Sequence, residues 1–231
     1  MVICHTSDTR YDLVVADIYS EVDLSEEQLA EELQVYGGLA DAVRSLNEAS
    51  LRTTVSPDLV RQAIAKLSEV DQLLRSQLIP DSFGVQVNSN GGVRAYGNAV
   101  VGMRNPIAVP VETERSDDGR AWARFHLNAL YEGPPTLVHG GVSALIMDQI
   151  MGEAAAAGGR PGMTAYLTTH YRKPTPLGDL EASAWIDSFD GIKTIVKGQL
   201  GPVGGEPTIE TEGLFILPKW AREVISPSRF E

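Results

Sequence analysis

The sequence has little cysteine and no long apolar run. Its one cysteine, Cys4, cannot form an internal disulfide, and no Cys/His set has the spacing of zinc ligands. We therefore expect a reducing, cytoplasmic setting and no metal site. The N-terminus has no basic segment followed by an apolar one, and no apolar run approaches the roughly 18 residues of a membrane span. We expect neither secretion nor membrane spanning.

Basic charge is also scarce. The net charge is −12, of which residues 1–80 contribute −8 and residues 81–231 contribute −4. An acidic chain without a basic stripe is a poor candidate for nucleic-acid binding, because that affinity comes largely from neutralising phosphates. We therefore exclude nucleic acid as a partner. The 231 residues, 43% of them hydrophobic, suffice for one core or for one core with an appendage.

Residues 1–80 predict a mainly helical extension. Ser25–Gln28 forms a capping box, and apolar residues then recur at helical spacing over about 26–49. Ser56–Pro57 is a second start signal, for an amphipathic helix that Pro80 stops. We expect these acidic helices to pack on the main domain or on a neighbouring subunit. A regulatory or partner-recruiting arm is the alternative.

Residues 81–231 change to short β-rich runs separated by turn residues. The expected strands are Phe83–Val87, Val93–Val101, Ile107–Thr113, Ala121–Leu127, Met163–Tyr171, Asp179–Phe189, Ile192–Leu200 and Thr208–Leu217. Hairpin signals such as Asn90–Gly91 and Asp190–Gly191 favour antiparallel pairing. A single apolar helix interrupts the strands, and a long sheet can shield it only by curling around it. This predicts an α+β hotdog fold with an N-terminal helical extension.

The segment that opens this helix carries the chemistry. A pair of glycines, Gly140 and Gly141, leaves room for a ligand at a helix N-terminus, where the Gly141 N–H can stabilise a thioester oxyanion. His139 can add a hydrogen bond or orient the acyl group. Within the helix only Asp148 and Glu153 are charged, and a carboxylate in so apolar a segment needs a reason. Asp148 fits a nucleophile or a general base.

The spacing along this helix bears on assembly. Asp148 follows Gly141 by seven residues, which is about 10 Å along a helix axis. One carbonyl cannot reach both groups within one subunit. Two copies with their helices side by side and antiparallel would bring Asp148 of one to Gly141 of the other. We therefore expect a site shared across a dimer interface.

The motif extends beyond the helix. Leu137–Gly141 with Asp148, followed by the stretch Met163–Leu177 (MTAYLTTHYRKPTPL), resembles the PaaI-like, phenylacetate-type hotdog acyl-CoA thioesterases. The resemblance covers about residues 105–217. It implies hydrolysis of an acyl-CoA substrate without metal or organic cofactor. It also implies a homodimer or a dimer of dimers with active sites at the subunit interface.

The resemblance also implies residue roles. His139 and Gly141 would bind the thioester carbonyl, Asp148 would be the catalytic carboxylate, and Thr164 would position that carboxylate or the attacking water. The further candidates for substrate binding are Gly140, His170, Arg172 and Lys173. The two cations stand where CoA phosphates or adenine pass in related proteins. His170 departs from the family, where asparagine, aspartate or a small polar residue is expected; it either tunes acyl preference or packs between strands.

Other interpretations stay open. A hotdog hydratase or dehydratase acting on enoyl or 3-hydroxyacyl thioesters would also set a helix-end amide against the carbonyl. A non-catalytic acyl-CoA-binding or scaffold protein is the third class. The three residues also have purely structural interpretations. Asp148 could serve just as a cap or in an ion pair within a dimer core, and His139 could tie the loop to the helix. Thr164 could be an ordinary strand residue. Arg172 and Lys173 could simply be a solvated strand end.

Overall fold

The fold is described from a computed structural model, which describes residues 19–89, 92–109 and 111–222. The described residues form two compact units. One contains the residues up to Asn98 together with Gly102–Pro106, and the other contains Ala99–Val101 and the residues from Ile107 onward. The domain boundary placed after residue 80 stays a prediction. None of the described helices combines the length and apolarity needed to cross a membrane.

The first unit is built on helices. They are α1 (Glu26–Glu32), which runs through a π-helical segment (Leu33–Gly37) into α2 (Gly38–Arg52), and α3 (Pro57–Arg75). The expected capping box is confirmed, because the Gln28 N–H donates to Ser25 Oγ at 3.2 Å and the Ser25 N–H donates to Gln28 Oε1 at 2.8 Å. Pro57 opens α3 as its first residue, as expected.

A small sheet completes this unit. Its strands are β1 (Tyr19–Glu21), β2 (Val85–Val87) and β3 (Val93–Arg94), with β2 parallel to β1 and antiparallel to β3. The strand expected over Val93–Val101 is wrong beyond Arg94. There the chain turns instead: the Asn98 N–H donates to the Ala95 carbonyl at 2.9 Å, and the Gly102 N–H donates to the Asn98 carbonyl at 3.1 Å. Asparagine and glycine favour such turns over strand.

The second unit is a six-stranded sheet with one long helix, α4 (Gly140–Ala157). The strands are β4 (Glu112–Ser116), β5 (Arg120–Leu127), β6 (Met163–Tyr171), β7 (Gly178–Asp190), β8 (Lys193–Pro202) and β9 (Ile209–Ile216). Their order is β4-β5-β7-β8-β9-β6, with every pairing antiparallel. Of the expected run Ile107–Thr113, Glu112 and Thr113 lie in β4; before them the Val111 N–H donates to the Val109 carbonyl at 2.7 Å, a tight turn in place of a ladder bond.

Helix α4 contacts all six strands. Neighbouring strands lie about 4.8 Å apart, so six of them span more than the roughly 10 Å diameter of a helix, and the sheet must curl to reach it from every strand. The expected hotdog arrangement is thereby confirmed. The helix is buried along one side through Ile146, Met147, Ile150 and Met151, each 0% exposed.

Glycines on the sheet let the helix approach closely. A Cβ at Gly198 in β8 would lie 2.5 Å from Met147 Cε and 2.9 Å from the Ser183 carbonyl oxygen, closer than a real Cβ can come. A Cβ at Gly213 in β9 would lie 3.1 Å from Met151 Cε. Because these two glycines have no side chain, Met147 and Met151 of α4 can pack directly against β8 and β9. The residues between the two methionines are thereby held close to the sheet.

Candidate active site

The loop before α4 is fastened on both sides. The Val138 N–H donates to the Thr175 carbonyl, and the His139 N–H donates to the Tyr131 carbonyl, each at 2.9 Å. Thr136 has a φ of +68°, a left-handed conformation that is rare for a β-branched residue. Its N–H donates to Glu132 Oε1 at 2.7 Å. The chain thus reaches the helix along a route fixed by backbone hydrogen bonds.

His139 is the N-cap of α4. The Gly141 N–H donates to His139 Nδ1 at 3.0 Å, and both residues are exposed. An imidazole nitrogen that accepts carries no proton, so a neutral His139 ring holds its proton on Nε2. The Gly141 N–H, which we predict to bind a thioester carbonyl, is thus present at the helix end. In this structure it donates to His139, the residue predicted to bind the carbonyl with it.

Gly140, between these two residues, touches strand β6. The Tyr171 hydroxyl donates to the Gly140 carbonyl oxygen at 2.7 Å. A Cβ on Gly140 would lie 3.2 Å from the Tyr171 ring, so the absence of a side chain admits the ring. Tyr171 lies within the motif stretch, but sequence reasoning assigned it no role.

Asp148 is half-buried two turns along α4. Thr164 Oγ1 donates to Asp148 Oδ1 at 2.6 Å. Among the described residues no cation lies within ion-pair distance of Asp148, and its second oxygen has no hydrogen-bond donor. Glu153 on the same helix differs, because it pairs with Arg115 at 2.9 Å and accepts from Gln149 at 2.8 Å. Of the two charges on α4, only Asp148 is left with an oxygen to spare.

A bulge in β6 decides which side chains meet α4. The register against β9 shifts between Thr164 and Tyr166, which leaves one extra residue in β6. In a regular strand Thr164 and Tyr171, seven positions apart, would face opposite sides of the sheet. The bulge reverses the alternation, and both side chains bond to α4. No feature of the single sequence announces this bulge, so Tyr171 could not be placed beforehand.

The other substrate-binding candidates lie at the end of β6 and beyond it. His170, next to Tyr171 in the strand, therefore faces away from α4, where it lines a surface pocket of about 280 Å³ with Trp185 and Lys197. Arg172 pairs with Glu210 at 2.9 Å, and Lys173 pairs with Glu206. The hydrogen bond from Lys173 holds the pKa of the Glu206 carboxyl below its usual value.

The structure thus brings Asp148 together with Thr164, and His139 with Gly141, but keeps His170 on the opposite side of the sheet. Over residues 19–89, 92–109 and 111–222, no three His, Cys, Asp or Glu side chains are grouped so that they could hold a metal ion.

Residues 136–192 match the family model of the thioesterase superfamily. The crystal structure of protein RHA08564, a thioesterase superfamily protein, is similar to this chain at 30% identity and a TM-score of 0.70, covering 86% of this chain and 98% of that one. The BH2602 protein of Bacillus halodurans, solved with CoA, is 29% identical over 48% of this chain and 76% of its own, with a TM-score of 0.43. PaaI of E. coli, from the phenylacetic acid degradation operon, is 15% identical over 48% and 80%, with a TM-score of 0.45.

Proposed function

The chain belongs to the thioesterase superfamily and is a thioester hydrolase, and we propose that it hydrolyses an acyl-CoA to a carboxylic acid and free CoA. The observation that carries the proposal is Asp148: a carboxylate on an apolar helix, held by the Thr164 hydroxyl and without an ion-pair partner among the described residues. Such a group is oriented and still has a basic oxygen for chemistry.

The proposed reaction begins at the end of α4. The thioester oxygen accepts a hydrogen bond from the Gly141 N–H, in place of or together with His139 Nδ1, and the positive end of the helix dipole stabilises the charge that develops on it. His139, with its proton on Nε2, supplies a second donor. Both groups are exposed, so a substrate can reach them.

Asp148 then acts on the acyl carbon in one of two ways. As general base it takes a proton from water, whose oxygen bonds to the carbonyl carbon while the C–S bond breaks and the thiolate of CoA takes up a proton. As nucleophile it bonds to the carbonyl carbon while the C–S bond breaks and the CoA thiolate takes up a proton from solvent; water then hydrolyses the mixed anhydride, which releases the acid and restores the carboxylate. In both routes Thr164 holds Oδ1, so that Oδ2 attacks or accepts the proton.

We propose that the site is completed by a second copy of the chain. Gly141 and Asp148 are seven residues apart on one helix, which is about 10 Å along the axis. An antiparallel partner helix would supply the missing carboxylate. The exposed apolar side chains next to the site support this assembly: Met163 is 57% exposed, Tyr166 44% and Leu145 43%. Strand β6 is also an edge of its sheet, which leaves backbone groups for pairing.

The CoA moiety would meet the two cations after β6. Arg172 and Lys173 are exposed, and each holds one carboxylate of its own chain in a surface ion pair. Such exposed pairs contribute little to stability, so a phosphate can replace the carboxylate at small cost. Gly140 would contribute its peptide group to the substrate site, since the Tyr171 ring occupies the space beside it. His170 would contribute from the outer face of the sheet.

The test is a panel of acyl-CoA and aryl-CoA substrates assayed for thiol release. Asp148→Asn should lower kcat by about 100- to 10,000-fold, because the base or nucleophile is lost while the shape is kept. Glu153→Gln is the matched control, since it neutralises the other carboxylate of the same helix, and its kcat should stay near that of the wild type.

Each competing outcome has a distinct signature. Unchanged turnover in Asp148→Asn would overturn the proposed mechanism. Hydration of crotonyl-CoA without thiol release, or saturable binding of CoA esters without turnover, would overturn the proposed hydrolysis of an acyl-CoA. An acyl adduct on Asp148, detected by mass spectrometry after an acid quench, would distinguish the nucleophile from the general base.

A further inference from the structure

The Gly140 carbonyl and the Gly141 N–H belong to one peptide group. Its oxygen accepts the Tyr171 hydroxyl at 2.7 Å, and its N–H is the group that the proposed function aims at the thioester oxygen. We propose that Tyr171 is a positioning residue for thioester hydrolysis: it fixes and polarises the Gly140–Gly141 peptide from the carbonyl side. This inference rests on the proposed function and adds a residue to it.

The contact is specific to the glycine and to the strand. The Tyr171 ring lies against Gly140, where a Cβ would come within 3.2 Å of it, so an alanine at position 140 would push against the ring. The hydroxyl reaches the carbonyl only because the bulge between Thr164 and Tyr166 turns the end of β6 toward α4. The same bulge therefore allows both Thr164 to bind Asp148 and Tyr171 to bind the Gly140–Gly141 peptide.

Two physical effects follow from the bond. A donor on the carbonyl oxygen draws electron density out of the amide, and hydrogen bonds in such a chain polarise and strengthen one another. The Gly141 N–H thereby becomes a stronger donor. The bond also fixes the peptide plane before the substrate arrives, so that no reorganisation is needed as charge develops.

The histidine cap makes the second anchor necessary. In this state the Gly141 N–H donates to His139 Nδ1 at 3.0 Å. When a thioester oxygen takes over this N–H, the peptide loses its tie to the His139 ring. The Tyr171 bond is on the other side of the peptide and remains while the N–H changes acceptor.

The first experiment removes only the hydroxyl. Tyr171→Phe keeps the ring against Gly140 and should lower kcat by about 3- to 10-fold, the usual worth of one hydrogen bond, with KM for the acyl-CoA unchanged. Tyr36→Phe makes the same change in the π-helical segment of the first unit and is the matched control; its kcat should not change. Difluorotyrosine at position 171, assayed at a pH low enough for its hydroxyl to keep its proton, is a more acidic donor and should raise kcat above that of the wild type. A role in packing alone would not produce this rise.

The second experiment observes the peptide without substrate. The chain has five Gly–Gly peptides. Labelling all glycines with ¹³C in the carbonyl and ¹⁵N in the amide therefore gives carbonyl–amide correlations from these peptides alone. In Tyr171→Phe the Gly140 carbonyl and Gly141 amide signals should shift, while the other four peptides serve as internal controls and stay in place.

The outcomes separate this inference from the function on which it rests. A wild type that hydrolyses no acyl-CoA while Asp148→Asn is equally inactive would overturn both. An active wild type whose Tyr171→Phe variant keeps both its kcat and its Gly140–Gly141 signals would overturn the role of Tyr171 alone. The role of Tyr171 would also be overturned if Tyr171→Phe lowers kcat but the difluorotyrosine variant does not raise kcat above that of the wild type, since packing would then be the cause.

Discussion

Helices α3 and α4 are nearly equal in length, at 19 and 18 residues, yet the fold uses them differently. Seven residues of α4 are buried, and the helix contacts every strand of the large sheet. Helix α3 has no buried residue; Ile64 is 59% exposed and Leu73 is 71% exposed. A helical pattern specifies a helix in both cases, but only packing gives a helix a fixed place against other elements.

That difference explains where the chemistry is found. A carboxylate performs acid–base work only when it is held within a fraction of an ångström of a fixed position, which a packed helix provides. Asp148 stands on α4, whereas the charges of α3 form local pairs such as Asp71 with Arg75 at 2.8 Å. The packing of the N-terminal helices on the main domain or on a neighbouring subunit stays a prediction, as does the alternative of a regulatory arm.

An Ile→Ala substitution should show the largest difference in stability between the two helices. Ile150→Ala in α4 removes a side chain that is 0% exposed and should lower the free energy of unfolding by about 2–5 kcal/mol. Ile64→Ala in α3, with its side chain 59% exposed, should change it by no more than about 0.5 kcal/mol as long as no second subunit covers that face. Chemical denaturation of both variants measures the two values. Equal losses would mean that the α3 face is covered in solution and that the contrast is wrong.

The free energy of unfolding should be nearly as sensitive to the close contact between α4 and the sheet. Gly198→Ala places a Cβ 2.5 Å from Met147 Cε and 2.9 Å from the Ser183 carbonyl oxygen, so backbone must move. We expect a loss of about 1–3 kcal/mol in the free energy of unfolding. Gly152→Ala is the control, because its nearest neighbour, Phe215 Cε1, would be 3.7 Å away. In the helix interior it should stabilise by about 0.5–1 kcal/mol. A stabilising Gly198→Ala would contradict the close approach.

The hydroxyl that holds the carboxylate should matter to rate more than to stability. Thr164→Val removes the donor to Asp148 Oδ1 and should lower kcat by about 10- to 150-fold, because a hydrogen bond to a charged group contributes about 1.5–3 kcal/mol. Thr164→Ser keeps the hydroxyl and should retain most of the activity. The melting temperature should move little, because α4 is seated by its apolar contacts. An unchanged kcat in Thr164→Val would mean that Thr164 is an ordinary strand residue without a role in the reaction.

Much of this arrangement could be read from the sequence. The resemblance to PaaI-like proteins is confirmed through the thioesterase superfamily, and β6 has the expected bounds, Met163–Tyr171. These elements were predictable because their patterns are local: alternation in a strand, and an all-round apolar run in a helix. The assigned roles of Asp148 and Thr164 stay predictions, although the two side chains do meet.

The rest depends on features that leave no mark in one sequence. A bulge adds one residue and exchanges the faces of everything after it, so alternation counted from Thr164 places Tyr171 on the wrong side of the sheet. The strand expected over Val93–Val101 fails for a related reason. Its apolar residues suit a strand, but the turn at Ala95–Asn98 uses the backbone groups that a ladder would need.

A second matched pair of substitutions gives the smallest and most exacting comparison. Ser143 in α4 is 1% exposed, and its Oγ has no hydrogen-bond partner among the described residues; Ser68 in α3 is exposed. Ser68→Ala should stabilise by at most about 0.5 kcal/mol, through helix propensity alone. Ser143→Ala gains the same propensity and also removes an unsatisfied buried hydroxyl, so it should stabilise by about 1 kcal/mol. Thermal unfolding measures the difference. If Ser143→Ala instead destabilises, the hydroxyl has a partner in solution, and the interior of the sheet around α4 contains a polar contact that apolar packing alone does not explain.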